Sequence, residues 1–413
     1  MTEGILNVGV DWATDAHQVC VLDEMGEACF EGSFEHSGAG LQRMCAQLAE
    51  LAAFGDVTVR VAIEVPRGAV VETLLERGHE VFVVNPKQLD RFRDRFTMPG
   101  AKDDRLDALV LASALRTDRE RFRRLEFDEP VVLKLRERSR MHEELSEERK
   151  RLANRLKQQL LRYFPQFLEL YDDVAAPWML ALWAHVPTPK HARKVQARSI
   201  ARILKEHRIR KHTGREVLKV LKQKPLYVAP GTTEAAVEHI QMLVPRLTLA
   251  NQQLKHCHAQ IKACLAEMAA PAEDDAGQEG EQHDVTILSS LPGVGPIVLA
   301  VLLAEANGPI RRRDYHALRS LCGVAPVTRS SGKKRVVSMR YGCSGRLRNA
   351  VYHWARVAAM HDELCKVRYR ALRQRGCTHG RALRTVGDRL LRVACAMLEH
   401  GSTYAARAPR RAA

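Results

Sequence analysis

The stretch V-T-V-R-V-A-I-E-V, residues Val57–Val65, alternates apolar and polar residues and then stays apolar up to Glu64. This pattern predicts a buried strand. Short apolar runs and segments of helical spacing lie on both sides of it. They predict strands at Leu6–Trp12, His17–Leu22, Cys29–Phe34 and Glu80–Asn85, and helices at Gly40–Leu51, Ala69–Arg77 and from about Lys102 onward.

The order of these elements indicates the fold class. Three hairpin-linked strands are followed by a helix, a strand, a second helix, another strand and further helices. A ribonuclease H-like α/β fold has this order, although other mixed-sheet folds share parts of it. We therefore predict an α/β domain of this class over residues 1–125.

In such a fold, four carboxylates of the sequence can have a common role. Asp11 ends the first strand and Glu64 ends the strand quoted above. Asp104 and Asp107 are three residues apart and therefore share one face of the following helix, whereas Asp103 is turned away from that face by about 100°. The four acidic groups can thus converge from three separate elements.

Converging carboxylates repel one another unless cations neutralise them, and oxygen ligands select Mg²⁺ or Mn²⁺. Two such ions can activate an attacking oxygen and stabilise a leaving oxygen during phosphodiester cleavage. Taken singly, an acid at a strand end or helix start is more often a solvated surface residue. Taken jointly, in this element order and on a basic chain, the four favour a metal site.

The composition indicates which class of partner the protein binds. The 413 residues carry a formal net charge of +16, which favours a polyanion such as nucleic acid. Ten scattered cysteines with no C-x-x-C pair favour reduced thiols in a cytosolic protein. Asp11 interrupts the first apolar run too early for a signal peptide, and no apolar run reaches the roughly 18 residues of a membrane span. We expect a cytoplasmic, nucleoid-associated protein with no membrane partner.

The middle of the chain, residues 126–284, has helical and charged character. Leucines at helical spacing predict long exposed helices at about Leu133–Arg162 and Val237–Met268, of the kind that serves as a spacer or a dimer arm. The segment between them, Ala197–Glu216, is strongly basic; contact with phosphates and a solvated helix face explain it about equally well. Pro271–Asp284 is acidic and nearly free of apolar groups, which predicts a linker or mobile loop.

Residues 285–413 form the third predicted domain, which is mainly helical. S-L-P-G-V-G-P-I-V-L-A-V-L-L-A-E, Ser290–Glu305, resembles the hairpin of a helix-hairpin-helix element. Gly293 and Gly295 would let backbone N–H groups approach a DNA phosphate.

A serine loop follows this element. Ser331 precedes Gly332 and a run of cations, and further arginines come soon after. Surrounding cations would hold a phosphate beside a serine hydroxyl, although Ser-Gly before a basic run is more often only a phosphate-contacting turn. The residues predicted to contact nucleic acid here are Lys333, Lys334, Arg335, Arg346 and Arg348.

An ordered set of motifs carries a family resemblance. D-W-A with Asp11, A-I-E-V-P-R-G with Glu64, K-D-D-R-L-D-A with Asp104 and Asp107, L-P-G-V-G-P, and G-V-A-P-x-x-x-S-S-G follow one another along the chain. This set closely resembles the insertion-sequence 110 family of DEDD-type transposases, also described as bridge-RNA-guided DNA recombinases. The resemblance covers roughly residues 5–120 and 285–400. The chain departs from the family at Asp103, where Thr or Asn is common.

The resemblance implies a RuvC-like N-terminal domain that carries the four carboxylates and a C-terminal transposase domain whose loop serine, Ser331, attacks DNA. The doubled Ser330-Ser331 leaves the choice of nucleophile slightly open. The family further implies a structured noncoding RNA, the bridge RNA, that pairs with donor and target DNA. A prokaryotic, Mg²⁺-dependent transposase or recombinase with a serine–DNA intermediate is therefore expected.

Three other functions remain as alternatives. A junction-resolving nuclease would use the same carboxylates with water as the nucleophile. A nucleic-acid-binding protein without catalysis would bind with a strong salt dependence and no dependence on Mg²⁺. Recombination through Tyr341 or Tyr352 is a weaker alternative, since a recognisable set of His and Arg partners is missing from the sequence.

The separation of the two predicted catalytic parts along the chain indicates how the protein assembles. The carboxylates and Ser331 are separated along the chain by both long helical segments. Long amphipathic helices usually pair, and strand exchange needs two DNA partners. We expect a homo-oligomer, a dimer or tetramer, in which the carboxylates of one protomer serve the serine of another.

Overall fold

A computed structural model describes residues 4–53, 57–96, 103–126, 128–270, 279–331 and 334–404, with only the backbone of 279–283, 329 and 334. The chain forms two compact units, Met1–Asp128 and Glu129–Ala413. The first boundary lies near the predicted one at residue 125. The further division predicted near residue 284 stays a prediction.

The first unit contains a sheet and four α-helices among its described residues. Its elements are β1 (Gly4–Asp11), β2 (Ala16–Leu22), β3 (Ala28–Glu35), α1 (Gly38–Leu51), β4 (Val57–Ile63), α2 (Ala69–Glu76), β5 (Glu80–Val83), α3 (Pro86–Arg93), α4 (Asp104–Asp118), a 3₁₀ turn (Arg119–Arg121) and β6 (Arg123–Arg124). The predicted elements occur in the predicted order, with the helix α3 and the short strand β6 in addition. Lys102, the predicted helix start, lies outside the described residues.

The six strands form one mixed sheet in the order β3-β2-β1-β4-β5-β6. Antiparallel pairs join β3 to β2, β2 to β1 and β5 to β6, whereas β1–β4 and β4–β5 are parallel. Because β1 and β4 are parallel neighbours at the centre of the sheet, their carboxyl ends lie side by side. The mixed α/β class predicted for this region is therefore observed.

Helices cover both faces of the sheet. Valines of β1 and β4 pack on one face against α1 and α2, with Met44 and Leu74 fully buried. On the other face, Ala62 of β4 packs against Val110 and Leu111 of α4. This second face carries small residues at the centre, which lets α4 lie very close to the sheet.

Gly9 of β1 marks the closest approach of α4. A Cβ atom at Gly9 would overlap the carbonyl oxygen of Ala108 and come within 2.6 Å of the amide nitrogen of Ala112. Backbone atoms of a helix yield little, so no larger side chain fits there without moving α4. Gly9 is also two residues before Asp11, and alternate residues of a strand share a face. The glycine thus brings α4 next to the end of β1.

The second unit is mainly helical. Its elements are α5 (Pro130–Tyr163), a 3₁₀ turn (Pro165–Glu169), α6 (Pro177–His185), α7 (Pro189–Lys194), α8 (Ala197–Glu206), α9 (Gly214–Leu221), α10 (Thr232–Ala269), α11 (Glu279–Ser289), α12 (Pro296–Glu305), α13 (Asn307–Arg311), α14 (Tyr315–Leu321), β7 (Val327–Ser331), β8 (Lys334–Ser338), α15 (Gly345–His361), α16 (Glu363–Gln374) and α17 (His379–Glu399).

The two long helices predicted in the middle of the chain are confirmed as α5 and α10, and they pair with each other within the chain. Arg138 donates to the carbonyl of Gln260, and Arg149 donates to the side chain of Asn251 at 2.6 Å, so the helices run antiparallel. One core forms where α11–α17 pack near Leu135, and a separate core forms around Leu156 at the other end of α5. Their pairing within one chain accounts for their apolar stripes without a partner protomer.

The prediction that Pro271–Asp284 is a linker or mobile loop is wrong for its second half, residues 279–284. Residues 271–278 lie outside the described residues, and Glu279 begins α11. Asp284 is only 4 % exposed and accepts hydrogen bonds from Arg313, one of them at 2.7 Å. A buried, paired carboxylate belongs to a folded core, so the acidic composition misled the sequence interpretation here. None of the helices in the described ranges combines the length and the apolar character needed to cross a membrane.

We predict that Gly9→Ala lowers the free energy of unfolding of the first unit by about 1–3 kcal/mol, because the new methyl group collides with the backbone of α4. Gly38→Ala is the matched control, since a Cβ at Gly38, the first residue of α1, meets no atom within 4 Å. Urea unfolding of both variants tests this. Equal effects of the two changes would show that close packing at Gly9 is unimportant.

Candidate functional site

The carboxyl ends of β1 and β4 place Asp11 and Glu64 side by side. Val10 is paired with Ile63 in the parallel ladder, and the two acids are the next residues of their chains. Neighbouring strands lie about 4.8 Å apart. Both side chains are partly exposed and line one cleft of about 380 Å³.

The start of α4 supplies the other two acids. Asp103 is the N-cap, and its carboxylate accepts a hydrogen bond from the backbone N–H of Arg105 at 3.1 Å. Asp104 and Asp107 line the cleft, and Asp107 is only 2 % exposed. The structure therefore places Asp11, Glu64, Asp104 and Asp107 in one cleft. Asp103 instead caps the start of α4.

The N-cap position also explains the departure at Asp103. Asp, Asn and Thr are all good N-caps, because each has a short side chain with an oxygen that accepts from the first turn. The three residues can therefore replace one another at this position without changing the cleft.

Arg93 of the unpredicted helix α3 reaches into the same cleft. Its Nε donates to Asp107 Oδ1 at 2.6 Å, and its NH1 group donates to Asp90 Oδ1 at 3.0 Å. The hydrogen bond to Asp107 raises the pKa of the Arg93 guanidinium above its usual value. The complete lining of the cleft is Asp11, Trp12, Ala13, Glu64, Pro86, Leu89, Asp90, Arg93, Asp104 and Asp107.

Sequence reasoning missed Arg93 and Asp90. Both lie on a single two-turn helix that has one buried apolar residue, Leu89, and so gives a weak periodic signal. Asn85-Pro86 offered the available clue, because Asn is a common N-cap and Pro is common in the first turn. Asn85 does cap α3, accepting from the N–H of Lys87 at 3.0 Å.

The donor chemistry of the cleft fits a hard divalent cation, since its four predicted ligands offer only carboxylate oxygen. Within the described residues, no three His, Cys, Asp or Glu side chains lie close enough together to form a ready-made metal site. The guanidinium of Arg93 meets part of the demand for positive charge, because it is bonded to the most buried of the four acids. A cation that binds Asp107 must share it with Arg93 or displace that side chain.

A pair of histidines, His17 buried and His36 exposed, orders the turn that follows β1. His17 is fully buried, and its Nδ1 accepts from the backbone N–H of Ala13 at 3.4 Å. Its Nε2 therefore carries the proton and donates to His36 Nδ1, 2.9 Å away. Burial, and then the nearby His36, lower the pKa of His17. The pair thus holds Ala13 and Trp12 at the wall of the cleft.

The predicted serine loop is a β-hairpin in the second unit. Ser330 and Ser331 are the last residues of β7, and both are exposed. Ser331 is paired with Lys334, and Ser330 lies opposite Arg335, so the two serines are on opposite faces of the hairpin. Lys333 lies outside the described residues, as does the side chain of Lys334.

The segment predicted to form a helix-hairpin-helix element consists of α11, a turn and α12. Gly293 has a left-handed φ of 81°, and a Cβ there would lie 2.7 Å from the amide nitrogen of Ala358 in α15. Packing against α15 therefore accounts for the need for glycine at position 293, and the predicted approach of its backbone N–H to a phosphate stays a prediction. Gly295 is the N-cap of α12, and a Cβ there would meet no atom within 4 Å, so the predicted access to its backbone is open.

Arg346 has acidic partners inside the helical unit. Its guanidinium donates to Glu143 at 2.6 Å, to Glu305 at 2.6 Å and to the hydroxyl of Ser139 at 3.2 Å. This network ties α15 to α5 and α12, and the predicted contact of Arg346 with nucleic acid stays a prediction. Arg348 is partly buried near Cys343, whereas Arg335 is exposed on the hairpin.

Comparison with known proteins identifies two matching regions. Residues 8–165 match the transposase model for the DEDD transposases of IS110, and residues 285–370 match the model described as the transposase IS116/IS110/IS902 family. The first contains all four carboxylates of the cleft, and the second contains Ser331. The matches thus cover the cleft and the serine hairpin, and they leave the segment between α5 and α11 largely unmatched.

Individual relatives extend the similarity over nearly the whole chain. The chain is 30 % identical over 392 residues to the mini-circle protein for IS117 of Streptomyces coelicolor, covering 93 % of this chain and 91 % of that protein. It is 27 % identical to the 43.6 kDa protein of insertion element IS110 of the same organism, covering 97 % and 96 %. Protein y4uE of Sinorhizobium fredii is 55 % identical over 206 residues, which span 49 % of this chain and 57 % of y4uE. The mini-circle protein and y4uE are both named as candidate transposases.

We predict that Asp104→Asn weakens Mn²⁺ binding at least about tenfold, because even changes to groups that only hydrogen-bond to metal ligands cost that much. Asp103→Asn is the matched control: Asn preserves the N-cap, so Mn²⁺ binding stays within about twofold of the unmodified protein. Electron paramagnetic resonance of free and bound Mn²⁺ measures both. The reverse result would mean that Asp103, and not Asp104, is the ligand.

Arg93→Gln removes the internal cation from Asp107. Without metal, we predict a loss of about 1–3 kcal/mol in the free energy of unfolding, because a buried carboxylate loses its charged partner. Saturating Mn²⁺ then stabilises the variant by more than it stabilises the unmodified protein, since the ion no longer competes with a guanidinium. Arg91→Gln, an exposed change on the same helix, serves as the control. Equal stabilisation by Mn²⁺ in all three proteins would contradict competition at Asp107.

Proposed function

This chain belongs to the IS110 family of transposases, and on that basis we propose that it cuts and rejoins DNA through a covalent bond between Ser331 and a DNA phosphate. The observation that carries the proposal is the cleft in which Asp11, Glu64, Asp104 and Asp107 meet. Four carboxylates that line one cleft need a cationic ligand there, even in a chain of net charge +16. The order of strands and helices around them supports a RuvC-like fold.

The cleft residues have distinct tasks in this proposal. Asp11, Glu64, Asp104 and Asp107 hold Mg²⁺ or Mn²⁺. When bound, such an ion supplies charge stabilisation at the attacking and leaving oxygens of a phosphodiester. Arg93 holds Asp107 in place and keeps the cleft near electrical balance. The His17–His36 pair fixes the wall at Trp12 and Ala13 and so maintains the shape of the cleft.

The hairpin supplies the nucleophile. The Oγ atom of Ser331 forms a bond to phosphorus as a P–O bond of the DNA backbone breaks; the serine proton leaves Oγ, and the departing DNA oxygen takes up a proton. Rejoining reverses these events with the hydroxyl end of another strand. Because one phosphate ester replaces another, bond energy is conserved and no external energy source is required. Arg335 is exposed on the same hairpin but is paired with Ser330, so it lies on the face opposite Ser331 and adds positive charge to the surface there.

The remaining partners are part of the same proposal. Donor and target DNA are the substrates, and a structured noncoding bridge RNA selects them by base pairing. The support for the RNA is the family resemblance, together with a basic surface of the kind that reads backbone more than sequence. A dimer or tetramer allows two DNA molecules to be held at once, with the protein associated with the nucleoid in the cytoplasm of a prokaryote.

Trapping on nicked DNA tests the covalent step. The substrate carries the junctions that flank the gene's own element, with a nick that lets the cleaved end diffuse away. We predict a protein–DNA adduct whose mass-mapped attachment is Ser331, lost entirely in Ser331→Ala. Ser330→Ala is the matched control, because Ser330 faces the other side of the hairpin, and it retains the adduct.

The outcomes of this trapping experiment separate the alternatives. Cleavage without an adduct that persists in Ser331→Ala would identify a nuclease that uses water. An adduct on Ser330 would move the nucleophile by one residue. Salt-dependent binding with neither cleavage nor any response to the four carboxylates would identify a non-catalytic binding protein.

A further inference from the structure

The most basic part of the chain lies between the two long helices and outside the cleft and the hairpin. Residues 189–224 contain thirteen Lys or Arg and two Glu, a net charge of +11 within a chain whose total is +16. This segment forms α7, α8 and α9, and we call its surface the basic platform. Most of the chain's excess positive charge is therefore concentrated in fewer than a tenth of its residues.

The fold turns all of this charge outward. Every one of the thirteen Lys and Arg side chains of the platform is exposed. Along α8, the apolar residues Ile200, Ile203 and Leu204 are buried, and along α9, Val217 and Leu221 are buried. The opposite faces carry cations at helical spacing: Arg198, Arg202 and Lys205 on α8, and Arg215, Lys219 and Lys222 on α9.

The two helices are held in a fixed arrangement. A Cβ at Gly214, the first residue of α9, would overlap the carbonyl oxygen of Ala197 at the start of α8, so the backbones are in close contact. Thr213 and Glu216 form a capping box that fixes the start of α9. The cations are therefore displayed on a rigid surface, which reduces the ordering cost of binding a repetitive partner.

These charges are almost entirely uncompensated. Among the ion pairs of the described residues, one involves a platform cation, Arg202 with Glu206 at 3.8 Å, and both side chains are well exposed. The second acid, Glu216, is used by its capping box. Elsewhere in this unit arginines are tightly paired, as Arg319 is with Asp388 at 2.7 Å. Clustered like charges destabilise a fold through mutual repulsion, and an anionic partner removes that cost.

The composition of the platform indicates which polyanion fits. Residues 189–224 contain no Phe, Tyr or Trp, so the surface offers no rings on which unpaired bases could stack. Recognition of single strands relies on such stacking, whereas duplexes are held mainly by cations on their phosphates. The platform therefore matches the regular phosphate rows of a double helix.

We propose that the basic platform binds the backbone of duplex DNA outside the segment where strands are exchanged. The choice of DNA rests on the proposed function. The platform core lies around Leu156 and the core beneath α12 and α15 lies near Leu135, so about 30 Å of α5 separates the two regions at 1.5 Å per residue. That distance corresponds to about nine base pairs, so the platform lengthens the DNA contact by nearly one helical turn.

The test uses a triple variant, Arg198→Gln, Arg202→Gln and Lys205→Gln. Glutamine keeps helix propensity at exposed positions, so the fold is retained. The control carries the same charge change at scattered exposed cations of α10: Arg246→Gln, Lys255→Gln and Lys262→Gln. Binding to a long duplex that spans the element junction is measured over a range of salt concentrations. The slope of log affinity against log salt should fall by about two to three in the platform variant and by less than one in the control.

Two further measurements make the result specific. A short duplex confined to the exchange site should bind the platform variant and the unmodified protein equally, and Ser331 adducts on it should form equally. An unchanged salt slope on the long duplex, or an equal fall in the control, overturns the proposal. A larger loss on duplex RNA than on duplex DNA, or binding restricted to anionic vesicles, overturns it in favour of another partner. If no Ser331 adduct forms but the platform slope still changes, the platform stands and the proposed chemistry fails.

Discussion

The close approach of α4 to β1 is the constraint on which the cleft depends. Gly9 has no side chain, and its neighbour across the ladder is Ala62, so the centre of this sheet face is nearly flat. A helix can then rest its backbone on the strand at Ala108, one residue after Asp107. This contact sets the distance from the first turn of α4 to the ends of β1 and β4. The four acids line one cleft because the residues beside them are small.

Convergence creates an electrostatic cost that the protein meets in two ways. Arg93 is bonded to Asp107 and Asp90, which stabilises the most buried carboxylate by a charge-assisted hydrogen bond. The other three acids keep partial contact with water, where repulsion is weaker. A divalent ion and the guanidinium of Arg93 therefore compete for the carboxylate of Asp107. The affinity of the cleft for a metal ion is therefore lower than the number of carboxylates alone predicts, because the ion competes with Arg93 for Asp107.

Cations have two different uses in this molecule. Arg346, Arg313 and Arg319 are partly buried and paired with carboxylates, and they connect helices of the second unit. The arginines of α8 and α9 have the same chemistry but are exposed, clustered and nearly without acidic neighbours. Burial and pairing, which the fold decides, thus separate cations that stabilise the protein from cations that are available to a polyanion. Net charge predicts that such a surface exists, and the structure shows where it lies.

Local patterns in the sequence were sufficient to predict the order of most elements in the first unit, the long helices α5 and α10, and the shared face of Asp104 and Asp107. These features follow from local periodicity and spacing, which a single segment contains. Other contacts became visible only when the elements were packed together. Arg93 of α3 meets Asp107, and Asp284 is buried against Arg313. Arg346 is paired with Glu305, and Gly293 lies against α15. Each of these depends on residues distant in the chain, and a local pattern holds no information about which distant group will meet a side chain. Whether a charged or flexible residue faces solvent or a partner is settled when the elements pack.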